Sequence, residues 1–529
     1  MADFPTEAKY MRIKNYNDKV LARHTTRISP FNGSIFGPRA IDRILFNIPS
    51  ETGMEIDMDT LMFHFDAQID LGAAALSDTR VMFLNSIESI IQTLRIRKGT
   101  SFLIEDIQRY NYLDSMFMNY LSSDYNNCVG NAMMGIGPVT DRFQTITTAA
   151  AAPANRYNTK KNYCIPFRLS GISNYSGLIS TSLIDQVSAF QFEIELAPAS
   201  DAIQVNRITI GAGANGSAAF GGAPAEATYI ITNCYLSYDL VRMSPDYHAQ
   251  LQSSINRGIP LQIPYKTWRT SMYSIDGTNT SFTLNINDTV KSLNSVFVAF
   301  FRQDEQGKLT ISGKDRKHKP ANLKTVQLQL GSFYYPLQPC DCTLQATQAF
   351  LELQKALGLA FVRSEYNGPY GFDGKYYSET YPNTSANLLT PNGFAADQPT
   401  ALLNPFGVAY TAPIAGTDGL AYTANYAGVG VQAGTVLANN APTSSARFAT
   451  EAGGSPCTEF LIGFNMRKVL DATEGEIVGT DIQSSGSGLM TLRLEFNTGG
   501  PAVAYNIVVA SLYDAVLEIQ SNQQAFRVE

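Results

Sequence analysis

The chain has 529 residues, 44% of them hydrophobic and 16% charged, with a formal net charge of −7. That balance excludes a disordered chain and supplies enough apolar surface for two or three cores, while the acidic total excludes a protein that grips nucleic acid over its whole surface. No run of about 18 apolar residues is present to span a bilayer.

Forty Gly, 24 Pro, 27 Tyr and 29 Phe against a single Trp favour strands joined by turns, so an all-β fold is expected. The six cysteines, Cys128, Cys164, Cys234, Cys340, Cys342 and Cys457, are scattered, several within strand-like apolar runs, and read as buried thiols rather than a disulfide framework. Met1-Ala-Asp-Phe-Pro lacks the basic-then-apolar pattern of a signal peptide, so synthesis and folding in a reducing cytosol are expected. The sequons at Asn32, Asn215, Asn279 and Asn383 then read as chance matches in Asn- and Ser-rich loops.

Residues 1–40 read as a basic N-terminal arm without clean periodicity. From Met1 to Arg43, eight basic residues (Lys9, Arg12, Lys14, Lys19, Arg23, Arg27, Arg39, Arg43) stand against Asp3, Glu7, Asp18 and Asp42. A first body spans 41–243. Leu61, Phe63, Phe65, Ala67, Ile69 and Leu71 alternate with polar residues in a long half-buried strand, and Ile87 to Ile96 follows. Ile107, Tyr110, Leu113, Phe117 and Leu121 then recur at three and four residues after Glu105 and Asp106, which predicts a helix of about four turns. An irregular stretch from Ser122 to Lys161 separates it from strands at Tyr163–Leu169, Phe190–Leu196, Val205–Ile210 and Tyr229–Val241.

Ser244 as N-cap and Pro245 at the first helical position predict a short helix that Gly258 stops, marking the boundary to a second body over 244–529. Its strands are read at Leu261–Tyr273, Ser281–Ile286, Ser295–Phe301 and Leu323–Leu330, followed by a helix from Leu344 to Leu357. A long Tyr-rich surface loop covers about 363–456, and strands return at Cys457–Phe464, Met490–Phe496 and Ala502–Ile519. Each half therefore holds strands, one helix, one long irregular insertion, and a closing strand that alternates apolar and polar residues. In the first half Phe190, Phe192, Ile194 and Leu196 form its apolar side, and in the second Met490, Leu492, Leu494 and Phe496 do so. A duplicated β-sandwich with insertions at equivalent places points to a building block.

The stretches "SIESIIQTLRIRKGTSFLIEDIQRYNYLDSMF" and "YIITNCYLSYDLVRMSPDYHAQLQ", with "SVFVAFFR", "FYYPLQPCDCTLQATQAFLELQKALG" and "TLRLEFNTGGPAVAYNIVVASLYDAVLEI", resemble the double jelly-roll major capsid proteins of icosahedral double-stranded DNA viruses, closest in flavour to the virophage and Polinton-like virus group. The resemblance runs from about Ile41 to the end. It implies two consecutive eight-stranded jelly-roll sandwiches, each with a short helix and long loop inserted, and a homotrimer forming a pseudo-hexameric capsomer. It also implies location in the virion shell, with assembly in the host cytoplasm or nucleus. Partners so implied are the chain itself, neighbouring capsomers, penton and other minor capsid proteins. The basic arm would meet genome, internal membrane or minor proteins by charge.

Sites for chemistry are sparse. His24, His64, His248 and His318 form no metal-binding pair in sequence, and Cys340-Asp-Cys342 lacks the second two-ligand element of a closed zinc site even with His318 nearby. Gly211-Ala-Gly213-Ala-Asn-Gly216 has dinucleotide-loop spacing but opens no helix, and Lys314-Asp-Arg-Lys-His-Lys319 reads as a solvated basic turn. No catalytic, cofactor-binding or metal residues are assigned, and a non-enzymatic structural protein is expected. A carbohydrate-binding or carbohydrate-active β-sandwich with the Tyr-rich loop as sugar platform is the alternative. The missing export signal, the single Trp and the reduced-looking cysteines count against it.

Overall fold

The computed structural model describes residues 20–70, 79–84, 86–99, 102–117, 129–135, 144–146, 160–184, 188–210, 218–221, 227–303, 306–307, 321–342, 347–357, 413–415, 421–423, 460–468, 477, 479–482, 490–501, 503–519 and 525–528. The strands of the first half are β1 (Val20–Ile28), β2 (Ile35–Phe36), β3 (Arg43–Pro49), β4 (Met54–Asp70), β5 (Thr79–Phe83), β6 (Ile91–Lys98), β7 (Phe102–Gln108), β8 (Gln144–Ile146), β9 (Lys161–Ile165), β10 (Leu178–Ser180), β11 (Ser188–Leu196), β12 (Ile203–Ile210), β13 (Ala218–Gly221) and β14 (Thr228–Met243). Those of the second are β15 (Leu261–Ile275), β16 (Ser281–Ile286), β17 (Leu293–Arg302), β18 (Leu323–Leu330), β19 (Phe333–Asp341), β20 (Pro413–Ala415), β21 (Ala421–Thr423), β22 (Leu461–Asn465), β23 (Met490–Phe496), β24 (Tyr505–Ile519) and β25 (Ala525–Val528).

In the first half the sheet β1-β14-β4-β10, with β9 also on β4, faces the sheet β3-β11-β6-β7. In the second, β15-β24-β17-β22 faces β16-β23-β18-β19. With β9 and β10 taken as one interrupted strand, the eight main strands of each half fall in the same order. One sheet reads first-eighth-third-sixth and the other second-seventh-fourth-fifth. Two antiparallel sheets in that order are a jelly roll, and the chain is a double jelly roll. Three connections of the first roll add a small sheet, β13-β12-β5-β8.

Side-chain alternation fixes the register. Phe192 and Ile194 lie opposite Phe46 and Ile44 on one side and Ile96 and Leu94 on the other, so the apolar rows of three strands meet on the inward face. Met490, Leu492 and Leu494 do the same against Ile286, Leu284 and Phe282 and against Leu330, Leu328 and Val326. In the first core, Phe63 meets Phe46 edge-on at 5.7 Å across the two sheets, and Phe167 stacks between Phe63 and Phe192. Leu494 is fully buried in the second core. Leu494→Asp places an unpaired carboxylate between sheets at a cost of several kcal/mol. The expected outcome, read from soluble yield and circular dichroism, is loss of the native fold.

Two expectations are corrected. The segment expected as an arm to residue 40 supplies β1, which pairs with β14 from Val20↔Met243 to Ile28↔Leu236, so Val20–Ile28 belongs to a sheet of the first roll. This edge strand carries exposed residues along most of its length and so shows no periodicity. The four-turn helix expected from Glu105 is a strand followed by a short helix. β7 pairs with β6 through Gln108, Arg109 turns the chain at φ 53°, and the helix runs Tyr110–Phe117. Leu121 lies outside the described residues. The expected boundary helix forms as Pro245–Asn256, with the Ser244 hydroxyl accepting from Tyr247 N–H and Gly258 at φ 83° beyond its end. The helix expected from Leu344 begins at Thr347 and ends at Leu357.

Candidate functional site

Both helices occupy the connection between the fifth and sixth strands of their roll, and the first of them forms the seam between the rolls. Tyr112 meets Phe301 edge-on at 5.1 Å, and Phe117 packs on Trp268 at 5.0 Å and edge-on to Phe297 at 4.9 Å. Beside the helix, the Tyr265 hydroxyl donates to Ile104 O at 2.7 Å and the Thr270 hydroxyl to Gln108 O at 2.9 Å. In the turn between β9 and β10, Gly171 lies so close to the second roll that a Cβ there would overlap the backbone oxygen of Lys266. The seam therefore joins the fifth-strand side of roll one to the outer face of the first-eighth-third-sixth sheet of roll two.

That placement explains a difference between equivalent strands. β4 alternates buried and half-buried residues along most of its length, whereas β17 is buried at every position except Arg302 and β24 at nearly every one. A sheet covered on both faces needs apolar residues on both, which is why Val296–Phe301 reads as an unbroken apolar run while Leu61–Asp70 alternates.

Behind the seam helix lies a buried charge cluster. Arg168 donates from Nε to Glu88 Oε1 at 2.9 Å and pairs through its terminal nitrogen with Asp114. The Tyr110 hydroxyl donates to Glu88 Oε2 at 3.0 Å and the Ser86 hydroxyl donates to Asp114 Oδ2 at 2.7 Å. A neighbouring buried carboxylate, Glu105, accepts from the Ser170 hydroxyl at 2.5 Å and Gly171 N–H at 2.9 Å. These bonds fasten the turn that carries Arg168, Ser170 and Gly171 to β7, to the seam helix and to the 3-10 turn Ile87–Ile90.

One guanidinium cannot neutralise both Glu88 and Asp114. Burial, with Asp114 nearby, raises the Glu88 carboxyl to about 7 against the opposing pull of Arg168, and burial also raises Asp114. Since the folded value of Glu88 exceeds its unfolded value, the stability gained from its proton is complete below about pH 4.5 and lost as pH rises through about 7. The loss is about 3 kcal/mol from that shift. Urea unfolding midpoints should fall between pH 5 and pH 8, and Glu88→Gln should flatten the slope; an equal slope in the variant would place the titration elsewhere.

The residues weighed in sequence for chemistry do not converge. His24 is exposed on β1 and His248 sits on the helix Pro245–Asn256. His64 lies on the outer face of β4, bonded to the Ser237 hydroxyl at 2.9 Å and stacked on Tyr235 at 4.5 Å. Burial, then Arg27, lowers its pKa, so it stays neutral near pH 7. Cys234 and Cys340 are buried, and burial pushes each thiol up to about 12, the environment of a packing residue. Cys128, Cys457, His318, Gly211–Gly216 and Lys314–Lys319 lie outside the described residues, as does the Tyr-rich stretch apart from the backbone of β20 and β21. Among the described residues no group of three or more His, Cys, Asp or Glu could hold a metal ion. The Glu88–Arg168–Asp114 cluster escaped sequence reading because its members come from three separated segments. The one available signal was the acidic and basic residues set within apolar runs.

No family model and no curated protein matches the chain. Among solved structures it is similar to the PBCV-1 virus capsid, at 11% identity over 99% of this chain and 100% of that one, with a TM-score of 0.48. It is also similar to the Sputnik virophage structure, at 12% over 100% and 92% with a TM-score of 0.49, and to the mavirus major capsid protein, at 12% over 100% and 95% with a TM-score of 0.42. The fold itself rests on the strand order of the two sandwiches.

Proposed function

We propose that this chain is a structural subunit of a viral shell, a double jelly-roll major capsid protein whose homotrimer tiles an icosahedral particle around double-stranded DNA. The observation that carries the reading is the repeated sandwich joined by an asymmetric seam, fifth-strand side of one roll to sheet face of the next. A seam of that kind is a head-to-tail step between two similar bodies, and repeated head-to-tail steps give a ring where the rotation per step closes. Three chains give six sandwiches in a pseudo-hexagonal block. On this reading the protein resides in the virion, its neighbours are other capsomers, penton and minor capsid proteins, and the basic residues before β1 face genome, membrane or inner proteins. The carbohydrate-binding alternative draws no support from the only Trp, Trp268, which packs in the seam against Phe117 and Phe297, and its platform, the Tyr-rich loop, lies outside the described residues apart from the backbone of β20 and β21. Light scattering on the purified chain tests the proposal. A mass near three times 57.8 kDa is expected, and a monomer at every concentration, or micromolar glycan binding by a monomer, would overturn it.

A further inference from the structure

On the outer face of the first roll one row of side chains crosses four neighbouring strands. Exposed Arg27 of β1 lies over the Tyr235 ring of β14 at 5.0 Å, and Tyr235 stacks on His64 of β4 at 4.5 Å. His64 Nε2 in turn lies 3.5 Å from Cys164 Sγ of β9, opposite it in the ladder. Tyr235, His64 and Cys164 are all half-buried, so the row is held by its neighbours and still open to ions from solvent.

A defect in the ladder places the row. Between Thr232↔Asp66 and Tyr235↔His64, Asn233 and Cys234 stand against the single residue Phe65, and Asn233 takes φ 54°. A bulge re-aims the side chains beside it. Here Cys234 joins the core while Tyr235 comes face to face with His64, only 8° from parallel. The stack fixes the imidazole plane, and the Ser237 hydroxyl, 2.9 Å from Nε2, donates there when the ring proton sits on Nδ1. The Nε2 lone pair then points toward the gap beside Cys164. Cys164 differs in this from Cys234 and Cys340, which are buried as packing thiols.

A thiolate and a neutral imidazole are donors that zinc-like ions favour. A tetrahedral ion bound at about 2.3 Å to sulfur and about 2.1 Å to nitrogen sets those two atoms about 3.6 Å apart. The 3.5 Å between Cys164 Sγ and His64 Nε2 meets that requirement without rearrangement. We propose that Cys164 and His64 form a site for a thiophilic divalent ion of the zinc class on the outer face of the first roll. Two protein donors leave the remaining positions to solvent, and binding releases the Cys164 thiol proton to water. The site does not depend on whether the chain forms a shell.

The test titrates Co²⁺ into the purified full chain and reads the thiolate-to-metal charge-transfer absorbance, with Zn²⁺ then added as competitor. A band that saturates at one Co²⁺ per chain and that Zn²⁺ erases is expected. Cys164→Ser should remove the band. His64→Gln should weaken Co²⁺ binding by about tenfold or more, since even supporting residues around a metal are worth that much. A second measurement uses only the wild-type chain: Zn²⁺ should slow alkylation of Cys164, followed by peptide mass spectrometry. A band that survives Cys164→Ser, unchanged affinity in His64→Gln, or alkylation at the same rate with and without Zn²⁺ would overturn the site and leave the pair as an S–H···N hydrogen bond.

Discussion

Arg168→Met is expected to abolish stable folding at pH 8. The guanidinium is the cation that Glu88 and Asp114 share, and without it two buried carboxyls keep only the hydroxyls of Tyr110 and Ser86 for support. Removing one partner of a buried ionic set costs about 3–5 kcal/mol, most of it the penalty of leaving charge uncompensated. That is a large share of the whole stability of a domain. The sign with pH follows from the raised carboxyl pKa values: acidification to about pH 5 protonates Glu88, shifts Asp114 toward its neutral form and restores part of the loss. Neutralising the set should also help, so that Arg168→Met combined with Glu88→Gln and Asp114→Asn is more stable than Arg168→Met alone. Soluble yield and urea unfolding at pH 5 and pH 8 measure both effects; wild-type stability in the single variant would show that the cluster contributes little to holding the seam helix.

Gly171→Ala is expected to open the seam while leaving each sandwich intact. The added methyl would overlap the backbone oxygen of Lys266, an atom held in the β15 ladder that cannot swing away as a side-chain tip could. Overpacking of this kind costs about 1–3 kcal/mol and sometimes more. The turn that carries Gly171 is itself pinned through Glu105, so neither partner yields easily. The expected readout is a lowered melting temperature together with faster proteolysis in the helix Pro245–Asn256 between the rolls. An unchanged melting temperature would mean that the rolls part by more than an ångström without loss.

Much of the fold was legible because strand alternation and continuous apolar runs report burial directly. The rows of Phe190–Leu196 and Met490–Phe496 became the inward faces of β11 and β23. Helix ends written in local chemistry, Ser244-Pro245 and Gly258, were legible for the same reason. The missed elements obey other rules. β1 is an exposed edge held by pairing with β14, β19 is interrupted by Pro336 and Pro339, and the Glu105 region carries a helical spacing that pairing with β6 overrides. The seam was half-visible, since "SVFVAFFR" signals a strand covered on both sides but not what covers it. The charge cluster was invisible, because Glu88, Asp114 and Arg168 are joined only by topology.

The measurement closest to the central claim is single-particle electron microscopy of the purified oligomer. A three-fold block of six sandwiches is the expected result. A two-sandwich monomer, or a two-fold dimer joined through like surfaces, would contradict it.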